Sequence, residues 1–340
     1  MSARNRASFL AALRPLAIAA LVTACGSGTS SGSPGPGMSA SSSASTSVAA
    51  PATGFPTDSP GTATPSVGPS PTTASGLPDF SHIYVIIMEN KPYRSIVGSD
   101  AAPYLNSLIA RYGMATQMYA ETHPSQPNYI ALTSGGLQGT PGDKTFNTAA
   151  PNLLDQIEAS GRTWHVYAQD YPGGCYKSSS APGGVDGPGA AGEYARKHNP
   201  AISYTSISGN PARCANITKL AGFNPAAANF EMIVPNMIND MHSSSTGAGD
   251  AFLRAFVPKI TSSSAFAGSV LFITWDESFD SDVAGGGGHI ATVIASPGMK
   301  PGSRFTAPAS HYSMLRTMEL AWGMPLLGAA ATASTITIGY

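Results

Sequence analysis

The sequence predicts an α/β fold, and two kinds of segment predict it. Ile83-Tyr84-Val85-Ile86-Ile87-Met88 and Ser269-Val270-Leu271-Phe272-Ile273-Thr274-Trp275 are nearly unbroken apolar runs. Runs of that length without polar alternation are expected of strands buried on both faces. Between such runs lie segments with helical spacing and helix stop signals. Each of the two runs ends abruptly in oxygen donors, Glu89-Asn90 and Asp276-Glu277. Polar groups at the carboxyl ends of buried strands stand where open α/β sheets place their ligands.

The first 24 residues carry Arg4, Arg6 and Arg14, then an apolar run from Leu16 to Ala24. A basic start, a short apolar core and small residues before a cleavage point describe a secretory signal, too short to span a membrane. Cys25 follows directly and resembles the lipidated cysteine of the bacterial lipoprotein box. Residues 25–76 are Ser, Thr, Gly, Pro and Ala with almost no charge or aliphatic bulk. Such a stretch buries too little apolar surface to offset its ordering entropy and is expected to be a disordered tether. Residues 77–340 then form the folded domain, roughly 260 residues and enough for one sizeable core. The protein is expected to be exported, as a cell-surface lipoprotein anchored in the membrane or as a secreted form.

Three cysteines are present. With Cys25 assigned to lipid, Cys175 and Cys214 read as one disulfide in an exported domain. It would restrain a long loop by roughly 3–4 kcal/mol. The formal net charge is −1, more negative by three once the signal arginines leave, so nothing indicates a nucleic-acid partner. A monomer is expected. Charged residues make up only 11% of the chain, so each polar cluster is informative.

In chain order, the strand at 82–88 precedes a helix at 101–109, with Pro103 in its first turn and Gly113 as its stop. Ser125 opens a further helix, where its hydroxyl either caps the backbone or meets an anion held by the helix dipole. Residues 152–160 form a helix stopped by Gly161, and 163–168 a strand. The Gly-, Ser- and Pro-rich stretch 171–224 is read as a long loop stapled by the disulfide, lining or covering the site; Tyr93, Tyr171 and Tyr176 are read as solvent-facing loop aromatics, with stacking on a substrate as the alternative. Strands follow at 229–235, 269–275 and 289–297, with helices at 251–260 and 312–322. On local evidence Glu89-Asn90 serve equally as a helix cap or as hard donors for a divalent cation. The second strand ending in acids, Asp276-Glu277, favours the cation.

Four motifs in order carry a resemblance: Met88-Glu89-Asn90, His123-Pro124-Ser125-Gln126-Pro127-Asn128-Tyr129, Asn239-Asp240-Met241-His242 and Trp275-Asp276-Glu277. Together they resemble the bacterial phosphoesterase family of secreted acid phosphatases and phospholipases C. The run Tyr194-Ala195-Arg196-Lys197-His198-Asn199-Pro200 is similar to its smaller acid phosphatase branch, some of whose members act on phosphatidylinositol 3-phosphate. The resemblance implies an alkaline-phosphatase-like mixed, mostly parallel sheet with helices on both faces. It implies a divalent metal ion on Glu89, Asn90, Ser125, Asp276 and Glu277, with Ser125 as the nucleophile of a phosphomonoester hydrolase.

Within that reading, His123, His242 and His311 are expected to donate to phosphate or to protonate the leaving group, and Asp240 to orient His242 or another site group. His289 is expected to be structural, and His165 and His198 structural or on the surface. A phosphodiesterase of the phospholipase C type and a non-catalytic metal- or phosphate-binding lipoprotein are the alternatives.

Overall fold

A computed structural model describes residues 76–180 and 194–337. The expected signal segment 1–24, the lipidation residue Cys25 and the tether as far as residue 75 lie outside the described residues.

The elements in chain order are β1 (Ile83–Met88), α1 (Pro103–Arg111), β2 (Gly113–Tyr119), α2 (Ser125–Ser134), α3 (Leu153–Ala159) and β3 (Trp164–Ala168). After them come α4 (Thr205–Ser208), α5 (Pro211–Cys214), β4 (Ile217–Lys219), β5 (Phe230–Val234), α6 (Thr246–Phe256) and α7 (Pro258–Thr261). The chain closes with β6 (Val270–Trp275), β7 (His289–Ala295), β8 (Ser303–Phe305), β9 (Ala309–Ser310) and α8 (His311–Ala321). The strands form one sheet of nine, in the order β4-β3-β5-β1-β6-β7-β2-β8, with β9 beside β2. Pairing is parallel except where β7 meets β6 and β2. The sheet is therefore mixed and mostly parallel.

Every residue of β1 and β6 is buried, so both faces of the sheet centre are covered. The helices pair off: α1 packs with α6 and α2 with α8. Nothing in its own sequence caps the start of α1. Asp250 of α6 supplies the acceptor, taking the Tyr104 and Leu105 amides at 3.1 and 2.8 Å and meeting the helix's free donors with negative charge. Asn152 caps α3 by accepting from the Asp155 amide. Among the described residues no helix is long and apolar enough to cross a membrane.

The structure departs from the sequence reading in four places. Gly113 is no mere helix stop: it opens β2, where a Cβ would stand 2.7 Å from the Ser303 carbonyl oxygen of β8. β2, β8 and β9 are short or poor in β-branched residues and leave little periodic signal. The stretch 171–224 is only partly loop, since it supplies α4, α5 and the edge strand β4. The helix expected at 251–260 starts earlier, at Thr246 behind the Ser245 cap. Finally, Tyr171 is fully buried, and Tyr93, partly buried, stacks on His289 at 4.2 Å. Cys175 and Cys214 are joined, with their Cα atoms 5.5 Å apart.

Candidate active site

The site follows from the register of β1 on β6. Met88 stands opposite Trp275 in a parallel pair, so the residues that come next, Glu89 and Asp276, leave the sheet side by side and on the same face. The Glu89 amide donates to the Asp240 carbonyl at 2.7 Å, and the Asp276 amide to the Met88 carbonyl at 2.9 Å. Both strand ends are thereby fixed. Asn90 then turns with φ at +49°, a left-handed value that Asn tolerates better than most residues. The turn directs its amide to Asp276 Oδ1 at 3.1 Å. Glu89, Asp276 and Glu277 are all 1% exposed or less.

Ser125 reaches this cluster from the start of α2. The N-cap position belongs to Pro124, and no side chain caps the helix. The Ser125 hydroxyl is therefore not spent on the backbone. It lies 3.1 Å from Glu89 Oε2 and 3.1 Å from Glu277 Oε1, with one proton to serve both. One turn further along, the Tyr129 hydroxyl donates to the other oxygen of Glu89. Residues four apart share a helix face, so α2 presents two hydroxyls to one carboxylate. Asn128 holds the approach to the helix, accepting from the Glu121 and Thr122 amides at 3.0 and 3.1 Å and donating to the Thr122 carbonyl at 2.7 Å.

His123 sits behind Glu277. Its Nδ1 is 2.6 Å from Glu277 Oε2, and its Nε2 is 3.0 Å from the Asp282 carbonyl. The carbonyl accepts only, so Nε2 carries a proton and the pair shares a second one across the Nδ1–Oε2 contact. Burial alone lowers the affinity of His123 for protons, but its bonds to Asp282 and Glu277 reverse this and raise it. Burial, helped by the nearby Asp276, pushes Glu277 up to about 8.

His198, read from sequence as structural or on the surface, is 1% exposed and inside the cluster. Its ring stacks on Tyr129 with centroids 5.4 Å apart. Nε2 lies 3.1 Å from Glu89 Oε1, and Nδ1 3.4 Å from Asp240 Oδ2. The Nε2 contact is close in distance but misses hydrogen-bond alignment, as Nε2 has no bonded partner. Burial, then the charges of Lys197 and His242, hold the ring well below its usual range and so neutral. The one signal for His198 in the sequence was its place in the Lys197-His198-Asn199-Pro200 run.

His242 lies farther out, its ring centroid 5.8 Å from that of His198 and its Nε2 3.5 Å from Lys197 Nζ. Asp240 does not grip the His242 ring. It accepts from the His242 backbone amide at 2.7 Å and turns its second oxygen toward His198. Lys197 is tied to Asp143 at 2.7 Å. His311 is fully buried with Nε2 on the Trp275 carbonyl at 2.9 Å, and burial lowers it to about 4. It is thus a neutral ring bonded to the backbone at the end of β6.

The donor set fits a hard divalent cation. Burial pushes Glu89 well above the usual carboxylate range, with Asp276 and Asp240 adding to the rise, and brings Asp276 to about 6. Carboxylates that press one another upward are relieved by a shared cation. Asn90 Oδ1 and Asp276 Oδ2 are buried without a partner, and Asn, Asp, Glu and Ser oxygens are the ligand types such an ion takes. Two wider groups, Glu89–His198–His242 and His123–Glu277–Asp280, also bring ligand atoms within 4.8 Å of one another.

The profile described as the Phosphoesterase family matches residues 97–325. A phosphatidylinositol-3-phosphatase of Mycobacterium tuberculosis is 34% identical over 81% of this chain and 87% of its own length. A probable acid phosphatase of Kluyveromyces lactis is 27% identical, over 73% of this chain and 60% of its own length. Among solved structures, a protein in the alkaline phosphatase superfamily from Vibrio parahaemolyticus aligns with a TM-score of 0.51 at 13% identity, covering 77% of this chain and 72% of that one. The lipoteichoic acid synthase LtaP from Listeria monocytogenes aligns with a TM-score of 0.51 at 9% identity, covering 77% and 79%. At such identities the two structures speak for the fold alone.

Proposed function

The chain belongs to the phosphoesterase family, and we propose that it is a phosphoric monoester hydrolase working through a phosphoserine on Ser125. The observation that carries this reading is the Ser125 hydroxyl, set at a helix N-terminus and 3.1 Å from carboxylates of two different strand ends. Serine is a weak nucleophile until its proton is taken or its oxygen coordinated. A divalent cation on Glu89, Asn90, Ser125, Asp276 and Glu277 would lower the proton affinity of the hydroxyl and offset phosphate charge.

The Ser125 proton passes to the Glu277–His123 pair. Oγ then bonds to phosphorus in line as the ester P–O bond breaks, and the leaving oxygen takes a proton from His242, which stands with Asn90 and Lys91 in the outer cleft. Water next attacks the phosphoserine, giving one proton back to His242 while Ser125 recovers its own. Lys91 and Lys197 supply positive charge for the phosphate oxygens. Buried and neutral, His198 packs behind Glu89 through its stack on Tyr129, whose hydroxyl donates to that carboxylate.

The substrate reading extends to phosphatidylinositol 3-phosphate. It draws support from the Mycobacterium tuberculosis relative, which bears that activity in its name and matches most of both chains. Export with a lipid on Cys25, and a tether holding the domain off the membrane, is the accompanying proposal for location.

The test is release of phosphate from p-nitrophenyl phosphate by the purified protein with and without chelator, together with trapping of labelled phosphate on the chain. Turnover that stops with chelator and label that maps to Ser125 support the reading. A protein that releases no phosphate with any divalent ion added overturns it.

A further inference from the structure

The loop between β6 and β7, residues 276–288, carries Asp276 and Glu277 into the site and is braced along the rest of its length. Asp282 is its hub. The Asp282 carboxylate accepts from the Ser278 hydroxyl at 2.9 Å, the His289 amide at 3.1 Å and the Ala284 amide at 3.3 Å. Its own amide donates to the Phe279 carbonyl at 2.7 Å, and its carbonyl takes His123 Nε2. The far end of the loop lies on the segment that leads to His123. There the Gly287 amide donates to the Ala120 carbonyl at 3.0 Å. At Gly286, with φ at +115°, a Cβ would collide with the Glu121 carbonyl oxygen, so only glycine permits the approach.

This fixed loop leaves two large apolar residues in solvent, Val283 at 69% exposure and Phe279 at 42%. Single exposed apolar residues are common and say nothing by themselves. Phe279 is set apart by its address. It lines the outer cleft, a space of about 440 Å³ whose other walls are Asn90, Lys91, His242, Asp280 and Ser281; Val283 is not one of them. In the proposed reaction His242 gives its proton to the leaving oxygen. The carbon skeleton on that oxygen therefore lies in this cleft, against Phe279. The charged walls sort what can enter, since Asp280 opposes a second anionic group and Lys91 a cationic one. A neutral group with a flat apolar face remains, and a ring offers such contact with few rotatable bonds to freeze.

Resting on the proposed phosphomonoesterase reading, we infer that Phe279 is a specificity-determining residue. Its ring forms the apolar wall of the leaving-group subsite. Monoesters whose alcohol carries an aromatic ring within one carbon of the ester oxygen are preferred over open-chain ones of the same basicity.

The test compares benzyl phosphate with n-propyl phosphate, whose alcohols are of similar basicity, with the same divalent ion present throughout. The expected ratio of kcat/KM is at least about 5, the scale of one aromatic contact. Phe279→Ala brings that ratio close to one, Phe279→Tyr keeps it, and Val283→Ala leaves it unchanged. Because each readout is a ratio, a general loss of activity cancels. A ratio near one in the unaltered protein, a ratio untouched by Phe279→Ala, or an equal fall in Val283→Ala overturns the inference. If neither these esters nor p-nitrophenyl phosphate release phosphate, the phosphatase reading fails separately, and the cleft is judged by calorimetry with benzylphosphonate and n-propylphosphonate. Tighter binding of the first that Phe279→Ala abolishes supports the aromatic wall, and equal binding, or none, overturns it.

Discussion

The Ser125 hydroxyl stands 3.1 Å from the Glu89 carboxylate although 36 positions separate them in the chain. The contact exists because β1 ends where α2 begins, and because Pro124, not Ser125, takes the N-cap position. Ser125→Ala removes the nucleophile while leaving Glu89 bonded to Tyr129 and Glu277 bonded to His123. The expected result is a fall in kcat/KM for an aryl phosphate of at least about 1,000-fold. The thermal midpoint should move by no more than a few degrees, since no cap is lost. Steady-state kinetics and a melting curve check both, and near-normal turnover would remove Ser125 from its role.

Much of this arrangement was legible in the chain, and for a physical reason. Strands buried on both faces leave unbroken apolar runs, and a polar pair closing such a run has few structural excuses. Glu89-Asn90 and Asp276-Glu277 therefore stood out without any coordinates. His198 did not, because it sits in a Gly-, Ser- and Pro-rich stretch with no periodicity to say that a side chain is buried. Its position depends on contacts with Tyr129 and Glu89, which are far away in sequence. β2 was hidden for a related reason. Its opening residue, Gly113, is needed for close approach to β8, and in sequence a glycine after a helix looks like a stop. The contact of His311 with the Trp275 carbonyl was not legible either, because a backbone atom is announced by no side-chain pattern.

The oxygen cluster predicts a metal that can be counted. Glu89→Gln and Asp276→Asn each replace a charged ligand by a neutral amide of the same shape. Bound divalent metal, measured by elemental analysis after gel filtration, should fall from about one equivalent toward zero. A chelator should lower the melting temperature of the unaltered protein, because an ion that binds only the folded chain stabilises it by mass action. In the two variants the chelator should have little further effect. Full metal content in both would refute the ligand assignment.

His198 offers a separate test of the inner wall. Its Nε2 lies 3.1 Å from Glu89 Oε1 and its ring lies on Tyr129. His198→Gln keeps a polar end but loses the flat ring and the contact with Asp240. Turnover is expected to drop by about 10- to 100-fold, the scale on which residues supporting a metal ligand from behind contribute, with a smaller change in KM. His242→Gln, at the outer cleft, should instead steepen the dependence of kcat/KM on leaving-group pKa, because poor leaving groups lose their proton donor. Rates across a series of substituted phenyl phosphates separate the two.

Glu231 predicts how stability changes with pH, away from the reaction centre. It is fully buried on β5, with Tyr84 of β1 and His165 of β3 as its register partners. One carboxylate oxygen accepts from the Ala228 amide at 3.2 Å and the other has no partner. Burial pushes the group up to about 8 from its ordinary 4.5. The folded protein therefore keeps a proton that the unfolded chain gives up above pH 4.5. Where the folded state binds more protons, stability falls as pH rises. The contribution of Glu231 is thus intact below about pH 4.5, declines steadily to pH 8 and is level beyond, a loss on the order of a few kcal/mol. Glu231→Gln stays neutral throughout, so the difference between the two urea-unfolding curves should widen in favour of the variant from pH 5 to pH 8. Parallel stability profiles for the two proteins would mean that Glu231 is ionised in the fold.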